Sequence, residues 1–371
     1  RGEGQRPQDF ENTLLSLHQG NKVKIKFVQG KYNMGGTGAL PFSGKLGYQL
    51  ILSRKSVDLD GVDSKWGFTL IREKPDVPDS FKTTWYEYFV DERDSIFKID
   101  GKPLNILPEN KEYLDGTLIK LFDYDLPHAS IVTARLWRDL NTKLFYPALP
   151  ITIYENRSKL TKGSWSKHAR VLGNGNRVQQ KQKNIHKTIK ISSSLQGFGN
   201  NKIEITIFKH ANQTLNNKNN IIDFRYKDEA VIITQNGQTH FNIAESKFKT
   251  KTGLASIASY VMVHVDLSNI DRNKSKIFMA SRDRARNNDD YKIFEKRIFE
   301  DISENEQMKD LNREYTKLDE ENIVKDNSLD AIIASMIKDN PALWNIFMNP
   351  GDAVVLNDEK GFKDSDPFSP Q

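Results

Sequence analysis

Between Gly30 and Leu40 the chain reads Gly-Lys-Tyr-Asn-Met-Gly-Gly-Thr-Gly-Ala-Leu, with glycines at positions 30, 35, 36 and 38. Residues without a Cβ let backbone N–H groups turn inward on an anion, and a helix opening at Ala39-Leu40 would add its positive end. The chemistry open to this stretch is to cradle a phosphate. It has neither the Gly-Lys-Ser/Thr ending of a Walker loop nor the Gly-x-Gly-x-x-Gly of a dinucleotide turn, and the same composition also suits a flexible turn. A second pattern, Gly2-Glu3-Gly4, opens the chain ahead of the first expected helix, and a Gly-Thr pair, Gly116-Thr117, starts an expected strand.

Other chemistries find less material. With no Cys there is no disulfide framework, no thiolate metal site and no thiol nucleophile. The seven histidines show no pairing at metal-ligand spacing, so no metal site is expected. Asp58-Leu-Asp-Gly-Val-Asp63 lacks the distal glutamate of an EF-hand and reads as a polar hairpin turn. Ser281-Arg-Asp-Arg-Ala-Arg286 is a compact basic cluster that reads first as a salt-bridge set. Net charge is only +6, but it is segregated: between Asn156 and Ile203 there is no Asp or Glu against eleven Lys or Arg. From Glu300 to Asp330 eleven acids face four bases. A basic block of this kind suits a polyanion or a mobile loop, and Arg170, Arg177, Lys181, Lys183 and Lys187 are the candidate nucleic-acid contacts.

In their order along the chain, the opening Gly-x-Gly, the second glycine stretch about 26 residues on and the Gly116-Thr117 pair resemble the signature of the GHKL ATPases. That family includes DNA gyrase B, the heat-shock chaperone ATPase, histidine kinases and MutL. The resemblance implies a Bergerat-type nucleotide fold, ATP with Mg2+ as cofactors, and nucleotide contacts from Gly2, Gly4, Gly30, Lys31, Met34, Gly35, Gly36, Thr37, Gly38, Ala39, Leu40 and Thr117. It extends less specifically to a transducer domain: Thr234-Gln-Asn-Gly-Gln-Thr239, followed by a helix, is similar to a strand-turn of MutL. Thr250-Lys-Thr-Gly-Leu254 looks like the loop that offers a lysine to the γ-phosphate, which would make Lys251, with Lys249 as runner-up, the catalytic sensor. The sequence departs from the family at its start. The family's water-activating glutamate, magnesium-binding asparagine and adenine-reading aspartate would all precede Arg1, so the chain reads as a fragment with a partial site.

These residues need elements to hold them. Apolar spacing predicts a helix over residues 8–18, a strand at Val23, Ile25 and Phe27, and strands over residues 48–53, 66–72, 85–90 and 117–124. A helix over 129–144, a strand over 149–154 and the basic insertion at about 156–190 follow. Strands over 187–192, 202–208, 230–234 and 260–267 come next, then a loop or short helix opening at Lys251, helical spacing through Phe294, Ile298 and Ile302 and again from Leu329 to Ile337, and an unstructured tail. The expected class is α+β in three parts: a truncated nucleotide domain over 1–128, a transducer-like α/β domain over 129–268, and a mainly helical segment over 269–371. With 371 residues and 20 Phe, 12 Tyr and 5 Trp, disorder throughout is excluded. No apolar run approaches membrane-spanning length and no signal segment opens the chain, so a cytoplasmic protein is expected. The reading that results is an ATP-binding, ATP-hydrolysing switch, with the homodimer found in that family, acting on DNA or RNA. The alternative is a non-catalytic scaffold that keeps the fold and binds an acidic partner.

Overall fold

The structure, a computed structural model, describes residues 2–16, 34–45, 47–75, 84–105, 112–125, 132–157, 168–214, 220–279 and 281–325. The strand expected at Val23 to Phe27, the helical spacing from Leu329 and the tail lie outside these residues. The fold is α+β. The chain divides into two compact units, residues 1–312 and 313–371.

Near the N-terminus a single turn of 3-10 helix, Pro7–Asp9, stands where a helix over 8–18 was expected. The hydroxyls of Thr13 and Ser16 bond to the carbonyls of Asp9 and Thr13, which competes with helical pairing, yet Phe10, Leu14 and Leu15 still pack inward. Helix α1 (Met34–Gly38) is followed by a 3-10 turn at Leu40–Phe42, strand β1 (Gln49–Arg54) and the one-turn helix α2 (Val57–Asp60). Strands β2 (Trp66–Glu73), β3 (Tyr86–Tyr88), β4 (Phe97–Ile99), β5 (Leu104–Asn105), β6 (Glu112–Tyr113) and β7 (Gly116–Leu121) complete the first half. They form an antiparallel sheet in the order β3-β2-β1-β7, with β4 also on β2, and β5 pairs with β6 apart from it. Phe10, Ile51 and Ile96 form the core on one face. Buried Arg54 ties the loops at the far end, donating to the carbonyls of Val62, Gly101 and Leu114 and to Ser64 Oγ.

Helix α3 (Arg135–Lys143) leads to the ribbon β8 (Ile151–Tyr154) and β9 (His168–Val171), helix α4 (Asn174–Gln180), and the long hairpin β10 (Ile185–Leu195) and β11 (Gly199–Phe208). Strands β12 (Glu229–Gln235) and β13 (Gln238–Ala244), helices α5 (Glu245–Thr252) and α6 (Ala255–Ala258) and strand β14 (Val261–Asp266) follow. The second sheet runs β10-β11-β14-β12-β13, antiparallel except for β12 beside β14. Helices α7 (Asp289–Glu304) and α8 (Glu306–Lys325) close the described chain, and α8 crosses the boundary between the two units.

One expectation fails here. Asn236 and Gly237 both take positive φ, +54° and +74°, the conformation of a two-residue hairpin turn that sends the chain straight back as a strand. Thr234 to Thr239 is therefore followed by β13, and a helix comes only at Glu245.

The two faces of the second sheet differ. Because side chains alternate across a strand, Ile203, Ile205, Ile207, Val261, Val263, Val265, Val231 and Ile233 share one face, all fully buried. Helices α5 and α7 pack on this sheet, with Phe198 stacked on Phe294. The opposite face holds an apolar cluster of Phe145, Phe208, Phe224, Ile232 and Met262, and beside it polar residues: Lys190, Glu204 and His264 stand in register on β10, β11 and β14. Among the described residues no helix is long and apolar enough to cross a membrane.

Candidate functional site

The three glycine-bearing motifs lie far apart in the sequence, and β1 is what relates them. The opening segment runs along the C-terminal end of β1. Ser56 N–H donates to Glu3 O at 2.7 Å, and a Cβ on Gly4, whose φ is +66°, would sit 1.8 Å from Arg54 O and 3.1 Å from Gly116 N. Only glycine permits that approach of three backbones. Gly116 in turn lies against Gly2, with the position of its own Cβ 3.7 Å from Gly2 O.

Ser53 holds this junction. Its Oγ lies 2.9 Å from Gln5 N, 3.2 Å from Gly116 O and 2.7 Å from Thr117 Oγ1. A serine hydroxyl has one proton and a carbonyl can only accept, so all three contacts are met when Ser53 donates to Gly116 and accepts from Gln5 N–H and from the Thr117 hydroxyl. Thr117 then spends its proton on Ser53 and offers lone pairs outward. Thr117 is exposed.

At the other end of β1, Gln49 Nε2 reaches Gly36 O at 3.5 Å. Gln49, Ile51 and Ser53 alternate onto one face of the strand, so α1 and the opening segment lie on the same side of the sheet, at its two ends. Four residue steps separate Gln49 from Ser53, about 13 Å along the strand. Phe10 and Ile51 fill the middle of that face. Beside them on β7, Thr117 pairs with Ser53 and Ile119 with Ile51, so both point the same way, and Ile119 is 48% exposed. The result is an open strip along β7, with a hydroxyl acceptor at one end, an apolar side chain in the middle and the glycine helix toward the other end.

The placement of the expected contacts is mixed. Gly2 is exposed and Gly4 buried; Gly30 and Lys31 lie outside the described residues. Met34, Gly35, Gly36, Thr37 and Gly38 form α1 itself, one turn earlier than the helix expected at Ala39 and Leu40. Ala39 is half-buried and Leu40 buried. No described atom comes within 4 Å of a Cβ built on Gly35, Gly36 or Gly38, so the space over them is open. Nothing in the glycine pattern singles out Gln49, Ser53 or Ile119. The only trace of them is that Gln49 and Ser53 interrupt the apolar inward set of a strand with polar residues.

Lys251 is not in a loop. It sits in the last turn of α5, which Gly253 ends in the left-handed conformation, and lines a groove of about 380 Å³ with Lys292 and Lys296 of α7. Lys249 is paired with Glu245 at 2.9 Å.

The basic block also divides. Arg170 on β9, Lys183 in the 3-10 turn before β10 and Lys187 on β10 are exposed, and Lys181 is half-buried, 3.7 Å from Asp223. Arg177 is 2% exposed, its guanidinium 4.5 Å from the Trp137 ring and 4.7 Å from the Phe224 ring, and it donates to Asn174 Oδ1 at 2.7 Å. Burial pushes its pKa down to about 10. It supports the packing of α4 and presents no charge to a polyanion, which removes it from the contact set.

Compared with known protein families and with curated protein sequences, the chain matches none.

Proposed function

We propose that the chain is an ATP-binding conformational switch of the GHKL type. The observation that carries this reading is the shared face: α1 and the Gly2-Gly4-Gly116-Thr117 junction lie on one side of β1, about 13 Å apart along it. In this reading the adenine lies over Ile119 with its amino group donating to Thr117 Oγ1, and the phosphates run toward the open glycines of α1. Among the described residues no group of three His, Asp or Glu could hold a metal. Mg2+ would arrive on the phosphates and keep its waters, as that ion commonly does. Lys251 serves as the phosphate sensor only by leaving its groove beside α7, which would couple nucleotide state to the α5 and α7 layer. The exposed cations Arg170, Lys183 and Lys187 favour a nucleic-acid client over an uncharged one.

Isothermal titration with a non-hydrolysable ATP analogue tests the site. Saturable binding is expected, and Thr117→Val, which keeps shape and removes the acceptor, should weaken it about ten-fold, the worth of one hydrogen bond. No binding, or equal binding by the variant, would leave only the scaffold reading.

A further inference from the structure

The polar row on the second sheet does something the nucleotide strip does not. Lys190, Glu204 and His264 occupy matched positions on three adjacent strands, and Thr188 and Thr206 stand in the next row. The other face of β11 and β14 buries Ile203, Ile205, Ile207, Val261, Val263 and Val265 at the same level, so a carboxylate and an imidazole here are not what packing asks for. They line a cavity of about 370 Å³ between the sheet and Tyr146, with Lys187 and Lys190 also on its wall. That volume is at the lower end for small-molecule sites.

His264 is fixed in place. Its ring stacks on Phe145 at 3.8 Å, and its Nε2 lies 2.9 Å from Thr234 Oγ1, which in turn is 3.3 Å from Asp266 Oδ1. The other nitrogen is unsatisfied: the residue is 5% exposed, Nδ1 has no hydrogen-bond partner among the described residues, and Glu204 Oε2 is 3.9 Å away. That gap is too long for a bond between them and suits one oxygen atom seated between both. With Thr234 giving its proton to Nε2, the shorter of its two contacts, Nδ1 carries the ring proton, and an alcohol can donate to the carboxylate while accepting from Nδ1–H. The neighbouring imidazole and the Lys190 ammonium, 3.3 Å from Glu204 Oε1, hold the Glu204 carboxyl at about 2 against burial, so it stays an acceptor. A carboxylate on the floor repels an anionic end and leaves it to Lys190.

We propose that this cavity binds a sugar-phosphate group, with a sugar hydroxyl between Glu204 and His264 and the phosphate at Lys190. Two sources offer that chemistry: a free sugar phosphate or the phosphorylated end of a nucleic-acid strand. The site uses no residue of the β7 strip and stands whether or not the strip binds ATP.

The test is titration of the whole chain with ribose 5-phosphate, followed by calorimetry and by the ring NMR signals of His264. Saturable binding with a shift of the His264 signals is expected, and ribose or inorganic phosphate alone should bind at least about ten-fold more weakly, each lacking one half of the recognition. Glu204→Gln, close in shape, should lower affinity about ten-fold, as should Lys190→Ala, while Thr117→Val leaves it unchanged. Lys190 is exposed, so its variant and the His264 signals decide the matter even if Glu204→Gln fails to fold. Absent binding, unshifted His264 signals, or equal affinity in Lys190→Ala would overturn the proposal. Given binding, competition by a 5′-phosphorylated oligonucleotide supports the site and assigns it to strand ends. Failure to compete supports it and assigns it to free compounds.

Discussion

At the scale of single residues, the junction at the end of β1 depends on which glycine is replaced. Gly4 has a left-handed φ and a Cβ position that overlaps the Arg54 carbonyl, whereas nothing lies within 4 Å of a Cβ on Gly2. Gly4→Ala should cost more than about 2 kcal/mol of stability, because backbone cannot give way as a flexible side chain can. Gly2→Ala should stay within about 0.5 kcal/mol. Urea denaturation of the two variants checks this, and equal midpoints would mean that the opening segment does not pack on β1. The sequence showed both glycines as one motif and could not rank them, since their difference comes from Arg54 and Gly116, which only the fold brings near. Ser53 was hidden for a related reason. A lone serine in a strand is ordinary, and its meaning comes from partners 48 and 64 positions away.

The elements were legible where periodicity is local. Strands β1, β2, β12 and β14 fall within about two residues of expectation, because alternating or continuous apolar runs mark them without help from distant contacts. The misplaced helices, over residues 8–18 and after Thr239, were decided by hydroxyl back-bonding and by turn geometry. The hairpin turn at Asn236-Gly237 also anchors the cavity wall: Tyr146 N–H donates to Gly237 O at 2.9 Å, and a Cβ on Gly237 would stand 2.3 Å from Tyr146 O. Gly237→Ala must therefore either strain the turn or displace Tyr146, at a cost of about 2 kcal/mol or more. Two effects are expected together, a lower urea midpoint and weaker ribose 5-phosphate binding, with ATP-analogue binding unaltered. A stability loss with sugar-phosphate affinity intact would separate Tyr146 from the site.

For the whole molecule, the sequence total of +6 conceals how the fold spends its cations. The basic block looked like one patch because its eleven Lys and Arg have no acid among them, but burial and pairing are decided by residues elsewhere in the chain. Trp137 and Phe224 bury Arg177, Asp223 faces Lys181, and Glu204 engages Lys190. Arg170 and Lys183 remain exposed and lie outside the sugar-phosphate cavity. If a polyanion binds through this surface, each phosphate that a cation neutralises releases a counterion and adds about 0.9 to the slope of log K against log salt. Arg170→Glu with Lys183→Glu should then weaken duplex DNA binding and reduce that slope by about 2. Arg177→Met, which keeps volume on the buried side, should leave the slope unchanged and alter only stability. Salt-dependent gel shifts or fluorescence anisotropy decide it. A slope that the double reversal does not move would show that the exposed cations take no part, and a slope that falls on replacing Arg177 alone would mean that α4 opens to bind.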